Sequence, residues 1–141
     1  MMLVRTHLAN SSIEGVGIFA SEPIKKGDIV WRLEPKFDVF FDENELDTLP
    51  AHMQDFITRY GYPHLNKPGI LVLEIDNGRF MNHCLKPNTD FTRFDVGYAI
   101  ADIAAGEEIT CNYFEFDPTF QGFFPATAVA HVYNGIGSQA R

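Results

Sequence analysis

Residues 79–88 read Arg-Phe-Met-Asn-His-Cys-Leu-Lys-Pro-Asn, a compact polar stretch that follows an apolar run and a turn. The run, residues 69–75 (Gly-Ile-Leu-Val-Leu-Glu-Ile), is apolar and rich in branched side chains, which predicts a buried strand. Asp76, Asn77 and Gly78 predict the turn after it. Polar side chains delivered by the end of a buried strand either form hydrogen bonds within the protein or bind a ligand. Taken alone, the stretch leaves both interpretations open.

A glycine pair lies earlier, in residues 15–20, which read Gly-Val-Gly-Ile-Phe-Ala. A dinucleotide-binding loop would need a strand before the pair, a helix after it and a third glycine. Here Ile18, Phe19 and Ala20 continue as strand and Pro23 prevents a long helix, so that interpretation fails. Glycine also lets the backbone approach a ligand closely, and a tight bend without a ligand explains these residues equally well.

A third segment, residues 106–113, reads Gly-Glu-Glu-Ile-Thr-Cys-Asn-Tyr. In this order the three segments resemble the signatures of the SET-domain lysine methyltransferases, and the resemblance covers about residues 13 to 113. Those signatures are Gly-x-Gly-x-Phe-Ala, Arg-Phe-x-Asn-His-Ser/Cys-x-x-Pro-Asn and Gly-Glu-Glu-Leu/Ile-Thr-x-Asp-Tyr. The resemblance implies a mainly β, SET-domain (β-clip-like) fold of small curled sheets, with a short helical insertion and a knot-like C-terminal passage. The pattern by itself excludes only a doubly wound fold, because strands do not alternate with helices.

The chain between the motifs predicts further strands at residues 3–8, 29–34 and 37–41. Residues 90–94 and 98–101 predict a hairpin around Asp95-Val96-Gly97. Trp31 and the phenylalanines of residues 37–41 are expected in the core.

A helical insertion is expected at about residues 42–61. Asp42 has the form of a helix cap, and Pro50 divides the insertion into two helices. In the second helix, about residues 51–60, apolar side chains recur at helical spacing and are expected to face inward: Met53, Phe56, Ile57 and Tyr60.

The C-terminal part is rich in phenylalanine, at positions 114, 116, 120, 123 and 124. One domain is expected over residues 1–141, with an aromatic closing segment at about 114–134 that includes a short helix at 126–133. Many family members have a cysteine-rich zinc-binding segment here, but this chain has no cysteine after Cys111. We expect the aromatic segment to close the site instead. A second patch of core is the alternative.

Composition limits the class of protein. A chain of 141 residues can form one domain with a sizeable core. Its net charge of −8 argues against nucleic acid as a direct partner and suits either a lysine-rich substrate or simple solubility. Two cysteines form neither a zinc site nor a disulfide framework, and neither a membrane span nor a signal peptide is expected. An intracellular protein is therefore expected, with the oligomeric state left open.

The resemblance implies methyl transfer from S-adenosylmethionine to the ε-amine of lysine in a protein, with histones among the candidate substrates and no metal. Lysine must be neutral to react, and since its free pKa is about 10.4, neutralisation near pH 7.4 costs roughly 4 kcal/mol. An apolar channel lowers that pKa. Tyr113 is the expected catalytic residue. The residues expected at the cofactor are Gly15, Val16, Gly17, Asn82, His83 and Tyr113, and those expected in the substrate channel are Phe91, Cys111 and Phe116.

Two departures from the family pattern matter. Asn112 stands where the family usually has aspartate, and neither Phe91 nor Cys111 is the tyrosine that tends to stop the reaction early. Activity is expected to survive the first change, and the second predicts di- or trimethylation. Four other motif residues are expected to be structural: Arg79, Asn88, Glu107 and Glu108.

Two alternatives stay open. One is a catalytically silent SET-like module that binds lysine-containing peptides. The other is an unrelated hydrolase using carboxylates, although no spacing singles out an acid and a base among Asp76, Glu107, Glu108 and Asp117. The methyltransferase hypothesis requires that the Asn82-His83 stretch and Tyr113 meet in space beside one pocket.

Overall fold

A computed structural model describes residues 1–117 and residue 120 of the chain. Short strands dominate it, as expected for a mainly β fold of small sheets. The strands are β1 (Thr6–Asn10), β2 (Val16–Ala20), β3 (Ile29–Arg32), β4 (Val39–Asp42), β5 (Tyr62–Pro63), β6 (Ile70–Leu73), β7 (Asn82–His83), β8 (Thr89–Asp90), β9 (Val96–Ala99) and β10 (Thr110–Cys111). One α-helix, α1 (Ala51–Tyr60), and 3-10 turns at Glu43–Thr48, Asn77–Phe80 and Tyr113–Glu115 complete the described elements.

The strands form four small sheets. β1 pairs with β2, and β3, β9 and β8 form a second antiparallel sheet in that order. β6 lies between β4 and β5, antiparallel to both. β7 and β10 form a parallel pair, with Asn82 opposite Thr110 and His83 opposite Cys111. This pair joins the second and third sequence motifs, which are far apart along the chain.

The apolar run before the central motif forms the middle strand of its sheet. Leu71 and Val72 are buried, and Val72 is paired with Phe40 on one side and Tyr62 on the other. Gly69 starts the run with a φ of +79°, a left-handed conformation that favours glycine. The prediction of a buried strand here is confirmed.

The helical segment follows the predicted division. Asp42 accepts a hydrogen bond from the Asn44 N–H and caps the first 3-10 turn, and Pro50 precedes α1. The prediction of an inward face is wrong for Met53 and Phe56, which are 43% and 42% exposed, whereas Ile57 is buried. Instead, Phe56 packs against Tyr60 on the surface of the helix itself, with ring centroids 4.9 Å apart. Helix α1 therefore packs against the rest of the protein through a narrow face that carries Ile57.

The main core lies between the first two sheets and the C-terminal motif. Its fully buried members include Ile18, Val30, Ile103 and Ile109. Trp31 is buried as expected, but Phe37 is 53% exposed because it precedes β4 in a turn at the sheet edge.

Several strand boundaries differ from the sequence-based expectations, which are residues 3–8, 29–34, 37–41, 90–94 and 98–101. The first strand spans Thr6–Asn10 rather than residues 3–8. Val96 and Gly97 belong to strand β9 rather than to a hairpin turn. Gly97 is needed within the strand because a Cβ there would lie 2.6 Å from the ring of Phe91. Close packing, and not a turn, explains this glycine.

The C-terminal predictions lie largely beyond the described residues. These are the helix at 126–133, most of the closing segment at 114–134, and the knot-like passage of the chain. Within the part of the chain that the structure describes, no helix has the length and apolar character needed to cross a membrane.

Candidate functional site

The Asn82-His83 strand and Tyr113 meet in space. The backbone N–H of Tyr113 donates a hydrogen bond to Nδ1 of His83 at 3.0 Å, and the Tyr113 hydroxyl donates to the carbonyl of Met81 at 2.6 Å. Both bonds follow from the parallel pairing of β7 with β10, which brings Tyr113 to the end of the motif strand. The spatial requirement of the sequence-based hypothesis is met.

His83 is held as a neutral ring. It is buried and packs against the rings of Tyr113, Phe114 and Phe120, with centroid distances of 5.2, 5.5 and 5.4 Å. Burial lowers the pKa of His83 below its usual value because it disfavours the charged imidazolium. Since Nδ1 accepts the Tyr113 N–H, the ring proton of the neutral form lies on Nε2. The side chain of His83 thus orients the Tyr113 backbone.

Tyr113 keeps its phenolic proton. Burial raises the pKa of its hydroxyl well above the usual value, so the group is a neutral donor at all physiological pH values. The residue before it, Asn112, accepts a hydrogen bond from the Phe114 N–H at 3.2 Å and caps the 3-10 turn that carries Tyr113. An amide oxygen performs this capping as a carboxylate would.

A polar network joins the three sequence motifs. The side-chain amide of Asn82 donates to Oε1 of Glu108 at 2.9 Å and to the carbonyls of Glu14 and Val16 at 3.2 and 3.3 Å. The Ser11 hydroxyl lies 2.8 and 2.9 Å from the two oxygens of the same carboxylate. Any Cβ at Gly17 would collide with that carboxylate. Gly17 therefore makes room for Glu108.

Sequence reasoning missed Ser11. Its position in the turn just before the glycine pair could have indicated a bonding role, because serine in such turns forms hydrogen bonds with nearby backbone N–H groups. Here its oxygen also accepts from the N–H of Ile13 at 2.9 Å.

Asn88 braces the third motif. Its amide donates to the carbonyl of Glu108 at 2.8 Å, and its oxygen accepts from the N–H of Thr110 at 2.9 Å. These bonds pin the strand that leads to Tyr113, which agrees with a structural role.

A narrow cleft of about 100 Å³ opens beside Tyr113. All three channel candidates, Phe91, Cys111 and Phe116, line it together with Tyr113. The rings form a connected wall, with centroids 5.3 Å apart for Trp31–Phe91, 5.7 Å for Phe91–Phe116 and 5.6 Å for Tyr113–Phe116. The other expected cofactor residues do not line this cleft but cluster beside the polar network: Gly15, Val16, Gly17, Asn82 and His83.

Comparison with known proteins identifies the family. A sequence model of the family described as "SET domain" matches residues 15–114. The chain belongs to the SET domain family.

The relatives of this SET domain are named as histone-modifying enzymes. The "Histone-lysine N-methyltransferase, H3 lysine-36 specific" proteins of Mus musculus and Homo sapiens are each 33% identical over 113 residues, which cover 70% of this chain. The matched region is 4% of the length of those relatives.

Solved structures agree on the fold. The Chaetomium thermophilum polycomb repressive complex 2 has a chain that superimposes with a TM-score of 0.60 at 25% identity, covering 78% of this chain and 15% of that one. An inhibitor-bound humanized mutant of the same complex gives a TM-score of 0.61 at 24% identity, covering 84% and 16%. The SET-domain fold expected from the sequence is confirmed.

Glu74 was missed as a feature of the cleft of this SET domain. It is buried, lines the cleft, and accepts a hydrogen bond from the Tyr62 hydroxyl at 3.3 Å on Oε1. Burial raises its pKa from 4.5 to about 7 because it disfavours the carboxylate. The signal was available, since Glu74 is the one charged residue within the apolar run of residues 69–75.

The carboxylates considered for a hydrolase are engaged in structural bonds. Asp76 accepts from the N–H groups of Met2 and Gly78 at 2.7 and 3.0 Å, and Glu107 accepts from the Ala104 N–H at 2.9 Å. Glu108 is held by Ser11 and Asn82 as described above. Only Asp117 lines the cleft, so the four do not form an acid and base pair.

Metal ligands do not cluster in the described region. No group of three or more His, Cys, Asp or Glu side chains within residues 1–117 and Phe120 could hold a metal ion. Both cysteines are free, and burial raises the pKa of the Cys111 thiol well above its usual value.

Proposed function

We propose that this SET domain transfers a methyl group from S-adenosylmethionine to the ε-amine of a lysine in a protein substrate. The observation that carries the proposal is the cleft, in which Tyr113 and the aromatic wall lie at the end of the strand pair that carries Asn82 and His83. An engineered cavity of about 150 Å³ holds benzene, so a cleft of about 100 Å³ suits a short aliphatic chain. The side chain of lysine is such a chain.

The chain's own residues would prepare the amine for reaction. Trp31, Phe91 and Phe116 surround the cleft with rings that exclude water and penalise the ammonium form, which lowers the pKa of an entering lysine. Aromatic faces also attract a methylated ammonium, so a product of the first transfer can stay bound. Correct alignment of the two reactants can contribute roughly 7 to 11 kcal/mol.

The residues near the polar network fit a cofactor held mainly through backbone groups. Gly15 has a φ of +49° and open space where a Cβ would project, and Val16 is 43% exposed. The Asn82 amide fixes this loop through the Glu14 and Val16 carbonyls. Gly15, Val16, Gly17, Asn82 and His83 would hold S-adenosylmethionine, which supplies an electrophilic methyl group when bound. Tyr113 would orient the amine by its hydroxyl.

Histones are the proposed first class of substrate, because the curated relatives carry the name of H3 lysine-36 enzymes. The net charge of −8 suits a basic partner of this kind. An intracellular setting belongs to the same proposal, with a lysine-bearing protein and not nucleic acid as the direct partner.

A labelled-methyl assay tests the proposal. Purified protein is incubated with S-adenosylmethionine carrying a labelled methyl group and with a histone H3 peptide that spans its lysine-36, or with a panel of lysine-rich proteins. We expect label on lysine with the wild type and its loss with Tyr113→Phe. Tyr98→Phe is the matched control, because Tyr98 lies in β9 and does not line the cleft. Peptide binding without any transfer would instead support the silent binding module.

A further inference from the structure

Glu74 is a buried carboxyl group in the wall of the cleft, which is lined mainly by aromatic and apolar side chains and also by three arginines and Asp117. It follows β6 directly and is 7% exposed, among the rings and the thiol that line the cleft. After burial, the charge of Glu74 is the next factor that raises the pKa of Cys111, and it also contributes to the raised pKa of Tyr113. Glu74 therefore lies within electrostatic reach of both residues at the proposed reaction site.

The carboxyl group of Glu74 is only half satisfied. Oε1 accepts the Tyr62 hydroxyl, but Oε2 is buried without a hydrogen-bond partner among the described residues. A buried acceptor without a donor is unfavourable, and most such atoms in proteins are paired. Gly78 reserves the space for this oxygen, because a Cβ at Gly78 would collide with it. Gly78 therefore leaves room for a carboxyl oxygen, Oε2, that has no donor among the described residues.

Within the described residues no side-chain cation forms an ion pair with Glu74, although the Met1 ammonium lowers the pKa of its carboxyl group. None of the ion pairs found within residues 1–117 involves Glu74, although the side chains of three arginines line the same cleft. Burial has the largest effect on the pKa of Glu74 and raises it, the Met1 ammonium lowers it, and the Asp76 and Asp38 carboxylates raise it further. A partner for Oε2 must offer hydrogen-bond donors. Arg79 lines the same cleft and its buried Nε has no partner among the described residues, and an entering lysine ammonium offers three N–H donors.

We propose that Glu74 binds the ammonium group of the substrate lysine through Oε2 and accepts one of its protons. This deepens the proposed function and rests on it. In the step, one N–H bond of the ammonium breaks and an O–H bond forms on Glu74, while the electron pair of the N–H bond stays on nitrogen. The neutral amine so formed has the free electron pair that methyl transfer needs. Glu74 then releases its proton to water at the mouth of the cleft.

The acidity of Glu74 suits this exchange. With a pKa of about 7, the protonated and ionised forms of the Glu74 carboxyl group are both populated at neutral pH. General bases work best when their pKa lies near the working pH.

The test uses the intrinsic fluorescence of Trp31, the one tryptophan in the chain, which lines the cleft. Its indole N–H is also buried without a partner among the described residues. The probe is n-butylammonium, which reproduces the end of a lysine side chain, and n-butanol is the uncharged comparison. We expect the wild type to bind the ammonium at least about tenfold more tightly than the alcohol. Glu74→Gln should abolish that preference, and Glu74→Asp should restore part of it.

Glu22→Gln is the matched control, since it makes the same change of charge at an exposed position outside the cleft. It should bind both probes as the wild type does. The wild type provides a second measurement that needs no variant, because its affinity for n-butylammonium should rise about tenfold between pH 6 and pH 8 as Glu74 ionises.

Equal binding of the two probes by the wild type, or an unchanged preference in a folded Glu74→Gln variant, would overturn the proposal. A flat affinity between pH 6 and pH 8 would also overturn it. The labelled-methyl assay separates the methyltransferase proposal from the proposal for Glu74. If the wild type transfers methyl groups but Glu74 has no role in binding, the methyltransferase function holds and the role of Glu74 is rejected. If the cleft binds the ammonium through Glu74 but no methyl transfer is found, the lysine-binding proposal holds and the methyltransferase function is rejected.

Discussion

The hydroxyl of Tyr113 donates a hydrogen bond of 2.6 Å to the backbone carbonyl of Met81, across 32 residues of chain. This bond closes the junction between the motif strand and the C-terminal motif, and it points the Tyr113 ring along the wall of the cleft. The same hydroxyl is the one that the proposed function assigns to the reacting amine. Its structural and chemical contributions can therefore be separated by measuring stability and transfer together.

Tyr113→Phe should lower transfer far more than stability. Removing the hydroxyl leaves the partly buried Met81 carbonyl without this donor, which should lower the free energy of unfolding by about 1 to 2 kcal/mol. Transfer to a lysine peptide should fall at least about a hundredfold, because alignment of the amine is lost. Urea denaturation and the labelled-methyl assay measure the two effects. A variant that loses stability but transfers methyl groups normally would limit Tyr113 to a structural role.

Gly17→Ala should destabilise the fold through Glu108. The added methyl group would collide with the Glu108 carboxylate and lie 3.1 Å from Nδ2 of Asn82. Overpacking of this kind typically lowers the free energy of unfolding by about 1 to 3 kcal/mol. A double-mutant cycle with Glu108→Ala checks the cause, because removal of the carboxylate should recover part of the loss. Strictly additive effects would mean that Gly17 matters for another reason.

The stability of the protein should depend on the ionisation of Glu74. Its pKa is about 7 in the folded protein and near 4.5 when unfolded, so the folded state binds more protons between these values. The free energy of unfolding should therefore fall as pH rises from about 4.5 to 7, by an amount on the order of 3 kcal/mol.

Glu74→Gln should remove this dependence. The variant should match the wild type near pH 4.5 and exceed it in stability at pH 8, where the wild type carries a buried carboxylate. Denaturation curves at both pH values, with Glu22→Gln as the control, provide the measurement. Parallel pH profiles for wild type and Glu74→Gln would contradict the assignment of the raised pKa.

Asn112→Asp should leave transfer within about twofold of the wild type. Asn112 accepts the Phe114 N–H through its side-chain oxygen, and a carboxylate oxygen can accept the same bond. Asn112→Ala should lose the cap and lower the free energy of unfolding by about 1 kcal/mol. A large loss of transfer in Asn112→Asp, with stability unchanged, would show that the amide itself is required.

The wild type should add more than one methyl group to each lysine. Phe91 and Cys111 both line the cleft and neither carries a phenolic hydroxyl that could hold the amine and stop the reaction early. Mass spectrometry of the peptide after exhaustive turnover should find di- or trimethyl lysine. Monomethyl lysine as the sole product would contradict this prediction.

Much of the fold could be predicted from local sequence. The buried strand before the central motif and helix α1 follow from apolar runs and from Pro50, because these signals act over a few residues. The errors fall where packing between distant segments decides. Phe56 has the spacing of an inward residue but lies on the surface, and Gly97 resembles a turn residue but lies in a strand because the Phe91 ring packs against it.

In the candidate site, too, the sequence indicates which residues are present, whereas their contacts depend on the packing of distant segments. The sequence by itself determined the family and named Asn82, His83 and Tyr113 as candidate site residues, because the order and spacing of the motifs are a property of the chain. Only the tertiary structure decided that the Asn82 amide is bonded to Glu108 and the Glu14–Val16 loop. It also decided that Glu74 lies in the cleft with one oxygen that has no partner among the described residues. The physical reason is that hydrogen-bond partners and burial depend on segments separated by many residues, which meet only when the sheets pack.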